Sequence, residues 1–182
     1  MLMNLVEKGI VNLDDPVSKF YNEQAPPVFA PINPYGSKRH QSVTLRSLAT
    51  HTSGLPREPS CTIYGTCTEE ELFDVINKYP LQSKPLTTPH YSNLGTALLA
   101  HCLERAYSRA TGRKTTFEEW FKENIFDVIG MPDSGFNVSE SSMDRMAVGC
   151  KYGMIFIWNR FDVISCLERP PLLSLPFMYL LI

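Results

Sequence analysis

Leu94, Leu98, Cys102 and Ala106 recur every fourth residue between Asn93 and Gly112, with Leu99 and Leu103 beside them. That spacing predicts one apolar stripe along a long helix. Gly112 stands where a left-handed residue closes such a helix. A helix with a single greasy side cannot float in water or sit fully inside a core. It has to lie against other elements with its polar side outward, so the rest of the chain must supply a partner for that stripe.

The partners legible in the sequence are also helical. "MLMNLVEKG" puts Leu2, Leu5 and Val6 on one side of a short helix that stops at Gly9. In "LDDPVSKFY", Asp15 is expected as an N-cap and Pro16 as the first helical residue, where a missing N–H costs nothing. "VTLRSLATHTSGLP" predicts a short helix capped by Thr44, running through Leu45, Leu48 and Ala49 and ended by Gly54 and Pro56. "TEEELFDVINKYP" carries a capping box, Thr68 with Glu71, and ends before Pro80. "TTFEEWFKENIFDVIGMP" repeats that logic with Thr116 and Glu119, and stops at Gly130 and Pro132. Between Gln24 and Gln41 the prolines at 26, 27, 31 and 34 predict a long loop. No alternating strand pattern precedes Cys150. After Gly153 the chain turns densely apolar and ends on "FMYLLI". Residues 151–182 are therefore read apart from 1–150, either as a strand pair or as a tail foreign to the preceding fold.

Composition excludes several functions. The 182 residues carry a net charge of −2, and no basic stripe offers a nucleic acid or membrane surface a footprint. The histidines at 40, 51, 90 and 101 and the five cysteines show neither CxxC nor HExxH spacing, so no metal and no cofactor is expected. Cys61 and Cys67 have a spacing able to close a small disulfide, and Asn137-Val138-Ser139 is a formal glycosylation triplet. No leader peptide and no membrane-spanning run is seen in this chain, and its compartment stays open.

Few residues are left to carry chemistry. There is no GxSxG elbow and no GxxxxGK[ST] phosphate loop. His51 and Ser53, two residues apart, do not face one another as base and nucleophile, so "HTSG" reads as a helix stop and a tight turn. The paired carboxylates Asp14-Asp15 and Glu118-Glu119 stand at helix starts, where capping accounts for them. Tyr91-Ser92-Asn93 remains, at the mouth of the long helix. By structure alone, Tyr91 is a half-buried aromatic and Asn93 a helix cap. By chemistry, the two are a phenol and a carboxamide at a cleft edge.

The context decides between them. "LVEKGIVNLDDPVSKFY", "VTLRSLATHTSGLP", "HYSNLGTALLAHCLERAYSRATG" and "FDVIGMPDSGF" follow one another in that order. The series resembles the serine β-lactamase-like family of class C β-lactamases, DD-peptidases and esterases, including its eukaryotic β-lactamase-like members, over Leu2 to Gly149. The resemblance implies the helical region of an α+β fold whose antiparallel sheet is built from both chain ends, so this chain is expected to be mainly α with most of that sheet missing. It implies Tyr91 as general base or proton relay and Asn93 as a substrate-binding amide. It also implies a small amide, ester or peptide ligand.

The departures from the family pattern matter equally. The family's Ser-x-x-Lys nucleophile motif and its Lys- or His-[Ser/Thr]-Gly strand motif are absent from the 182 residues. A phenol, with an ordinary pKa of about 10, is a poor base until a neighbouring cation lowers it. The expectation is a fragment of an acyl-serine hydrolase, truncated at both ends and inactive by itself, with no nucleophile of its own. The alternative is a catalytically dead module that keeps the cleft wall and holds a ligand.

Overall fold

A computed structural model describes residues 1–24, 27–35, 42–58 and 68–136, together with the backbone of three short strands between 149 and 165. The helices are α1 (Leu2–Glu7), α2 (Leu45–Ala49), α3 (Glu69–Lys78), α4 (Asn93–Thr111) and α5 (Phe117–Phe121). The fold is mainly α, as expected. Strands β1 (Gly149–Lys151), β2 (Met154–Phe156) and β3 (Val163–Ser165) pair antiparallel in the order β1-β2-β3. Cys150 faces Ile155 in the first ladder, and Ile155 faces Ile164 in the second. The Cys61–Cys67 spacing and the Asn137 triplet lie outside the described residues.

The chain divides into two units, Met1–Phe117 and Glu118–Ile182. In the first, the stripe of α4 meets α2 and α1. Leu94, Leu98, Cys102, Leu103 and Ala106 are buried with Leu5, Leu45 and Leu48. Each such leucine contributes about 2 kcal/mol on leaving water. Leu99 is only partly buried and packs on the margin of this core. Arg105 crosses from α4 to α3, where its Nη2 reaches both carboxylate oxygens of Glu69 at 3.0 and 3.1 Å. Its guanidinium also lies 4.1 Å from the Tyr21 ring centroid, a cation held by an anion and an aromatic face at once. Burial drives the Cys102 thiol far above its usual range, so this cysteine is packing material and not a nucleophile.

In the second unit Trp120 is fully buried, and α5 passes into a π-helical turn at Lys122–Phe126. Phe121, Phe126 and Phe136 form a ring cluster with centroids 5.7 to 6.2 Å apart. Gly130 ends the segment at φ 70°. Val128 and Ile129 stay exposed, at 72% and 62%.

Most helix ends follow the sequence. Thr68 and Glu71 make the reciprocal capping box at α3, and Gly112 closes α4 at φ 70°. Thr44 caps α2 together with Ser47, whose hydroxyl takes the part usually played by a glutamate. One expectation and one of the alternatives weighed are corrected. Asp15 does not cap a helix at Pro16: the element is a single 3-10 turn, Val17–Lys19, with Pro16 itself at the cap. The Val17 N–H that a cap would satisfy goes to the Val43 carbonyl at 2.9 Å, freeing Asp15 to bind the Asn12 N–H and the Lys19 ammonium. Asn93 is not the cap of α4 either. Ser92 is, its Oγ accepting the Gly95 N–H at 2.8 Å.

A pH-dependent contact ties α4 to the start of α5. Glu104 accepts the Phe117 N–H at 2.5 Å on one oxygen and meets His101 Nδ1 at 3.0 Å with the other. Burial pushes the Glu104 carboxyl up, but its bonds from His101 and Phe117 prevail and hold it below its ordinary 4.5. The Glu104 contact raises His101 above its ordinary 6.5. Stability from a raised histidine is complete below the unfolded value and fades as pH climbs through the folded one. A lowered carboxyl acts in reverse, present above its unfolded value and lost as pH falls through the folded one. The pair's contribution is therefore greatest between 4.5 and 6.5. His101→Gln should flatten the decline in urea midpoint above that window, and an unchanged slope would assign the decline elsewhere.

Candidate active-site wall

The site grows from the loop after α2. His51 holds φ 56° and Gly54 φ 77°, so the chain reverses sharply there. The turn brings its carbonyls against the segment leading to α4. The Thr52 carbonyl accepts the Leu86 N–H and the Gly54 carbonyl the Gln82 N–H, both at 2.8 Å. His51 grips with backbone and ring together: its carbonyl takes the His90 N–H at 2.8 Å, and its Nδ1 takes the Ser92 N–H at 3.2 Å. A backbone N–H can only donate, so Nδ1 is the accepting nitrogen and the neutral ring carries its proton on Nε2.

Ser92 is fully buried. Its hydroxyl donates to the Pro56 carbonyl at 2.7 Å while accepting from Gly95. Its backbone is extended, φ −139° and ψ 107°, and in extended chain neighbouring side chains alternate sides. Ser92 turns inward, which leaves Tyr91 and Asn93 on the outer side. Tyr91 is 60% exposed, not half-buried. Its ring lies 4.7 Å by centroids from the His51 imidazole and 5.6 Å from the Arg57 guanidinium. No described residue takes its hydroxyl. Asn93 donates from Nδ2 to the Glu58 carboxylate, and the Leu94 N–H goes to the Arg57 carbonyl at 3.1 Å.

The structure thus brings together the two residues expected at the site, Tyr91 and Asn93, on one rim. It separates the pair set aside earlier: His51 serves Ser92, while the buried Ser53 hydroxyl accepts the Leu55 N–H at 3.3 Å. Reading "HTSG" as a turn was right as far as it went, but it missed that His51, Arg57 and Glu58 all face the helix mouth. The signal available was the charged "RE" directly after the "GLP" stop. Among the described residues no three His, Cys, Asp or Glu side chains converge as a metal site, and no helix is long and apolar enough to cross a membrane.

The helical architecture is that of part of the serine β-lactamase/transpeptidase fold, the fold of its solved neighbours. A β-lactamase/D-alanine carboxypeptidase from Yersinia pestis superposes with a TM-score of 0.63 at 26% identity, over 85% of this chain and 41% of that one. The Beta-lactamase family model matches residues 1–153, and the chain belongs to that family. Among relatives, β-lactamase-like protein 4 of Dictyostelium discoideum is 36% identical over 146 residues, 77% of this chain and 25% of its own length. The D-alanyl-D-alanine-carboxypeptidase/endopeptidase AmpH of Escherichia coli is 33% identical over 153 residues, 81% of this chain and 36% of its own. The chain spans about a quarter to a third of these relatives.

Proposed function

We propose that this chain supplies the Tyr-x-Asn wall of an acyl-serine hydrolase that acts on small amide, ester or peptide substrates. In that chemistry a serine hydroxyl adds to the substrate carbonyl, its proton passes to a base, and the leaving amine or alcohol collects one. Water then releases the acyl group. Tyr91 is the proton carrier in this reading and Asn93 holds the substrate. The observation that carries it is the exposed Tyr91 hydroxyl, unengaged by any described residue, on a ring positioned by His51 and Arg57. With Ser-x-x-Lys and the Lys/His-[Ser/Thr]-Gly motif absent from the 182 residues, the chain by itself forms no acyl-enzyme.

Purified chain should therefore hydrolyse nitrocefin and p-nitrophenyl acetate no faster than its Tyr91→Phe variant, and should take no covalent label from a fluorophosphonate. Turnover that Tyr91→Phe abolishes would overturn the inactivity. A second reading, a ligand-holding module without turnover, is supported by the continuous core of the first unit, from Leu5 to Ala106. It predicts saturable benzylpenicillin binding by calorimetry that Asn93→Ala weakens.

A further inference from the structure

Between Pro56, Glu58 and Leu94 on one side and the end of α3 on the other lies a cavity of about 260 Å³, whose lining also takes in the loop before α4. Its apolar walls include Leu55, Val75, Ile76, Leu81 and Leu94, and Glu58 stands among the lining residues. The same Glu58 accepts the Asn93 Nδ2–H. That bond orients the amide: a carboxylate can only accept, so the NH₂ must face Glu58 and Oδ1 must point elsewhere. Neither Asn93 Oδ1 nor the second Glu58 oxygen has a partner among the described residues. A carboxylate with one oxygen unengaged by any described residue therefore borders an apolar hollow.

Arg57 does not cancel this. Its nearest approach to Glu58 is 3.9 Å, with the two side chains 73% and 48% exposed, and its guanidinium lies against the Tyr91 ring instead. An exposed pair at that distance contributes little and yields to a closer donor.

We propose that Glu58 and the adjoining cavity form a subsite for a ligand that carries a protonated amine next to an apolar group. The ammonium meets the Glu58 carboxylate and the apolar group fills the hollow. The assignment extends the reading of Tyr91 and Asn93 as a substrate wall by naming the chemistry that wall selects. Glu58 is a specificity residue here, and no bond is made or broken by it.

The test is ligand titration of the full 182-residue chain, followed by methyl NMR of Val75, Ile76 and Leu81. The probes are benzylamine, benzyl alcohol and phenylacetate. Benzylamine should shift these methyls saturably and bind roughly tenfold more tightly than benzyl alcohol, the usual reach of one charge-assisted hydrogen bond. Glu58→Gln, a surface change that spares the core, should remove that gap while leaving benzyl alcohol unaffected. Val75→Trp, which fills the hollow from half-buried α3, should weaken both. Equal binding of amine and alcohol by the unaltered chain would overturn the role of Glu58, as would tighter binding of phenylacetate. Absence of saturable shifts at the three methyls would overturn the cavity. None of these readouts involves turnover, so a failed acylation assay leaves them intact and their failure leaves the hydrolase reading intact.

Discussion

Gly54→Ala is expected to destabilise the first unit by about 3 kcal/mol, from left-handed backbone strain and overpacking together. Gly54 holds φ 77°, and a Cβ built there lands 2.2 Å from the Ser83 carbonyl oxygen. That atom is backbone, so no side chain can swing aside. Either the turn opens or the segment from Leu81 to Leu86 moves away. Both routes break the Gly54–Gln82 and Thr52–Leu86 bonds, and both loosen the grip of His51 on the residues before α4. Urea unfolding followed by circular dichroism reads the loss directly. A change under about 1 kcal/mol would mean that the turn tolerates a Cβ and that the close approach is not a constraint.

Ser92→Ala is expected to cost about 2–4 kcal/mol. One part is the helix cap, typically about 1 kcal/mol. The larger part is the part-buried Pro56 carbonyl left without its donor, about 1–3 kcal/mol. The neighbouring Tyr91→Phe supplies the contrast. Tyr91 is 60% exposed and its hydroxyl serves no described residue, so that change should leave the urea midpoint unaltered. If Ser92→Ala were as mild as Tyr91→Phe, the inward serine would not be what holds the rim in place. Measured together, the two variants separate the residue that builds the site from the residue the site displays.

How much of this was readable beforehand depends on the range of the forces involved. The stripe of α4, the capping box of α3 and the glycine stop at 112 are local: each is decided by residues within a few positions, through helical periodicity, a side chain reaching three residues along, or a φ value that suits glycine. The misassigned cap at Asp15 and the alternative reading of Asn93 as a cap fail for one cause. In each case the helix-start hydrogen bonds were settled partly by residues far along the chain, Val43 for the Val17 N–H, and His51 and Pro56 for Ser92.

By itself, then, the order of residues determined a mainly helical chain, its family likeness and the two side chains at the mouth of α4. The tertiary structure alone decided that Ser92 faces in and Tyr91 out, that His51 clamps the segment before α4, and that Glu58 turns the Asn93 amide beside a hollow. Those outcomes hang on contacts between residues 35 to 41 positions apart, and periodicity carries no information over such distances.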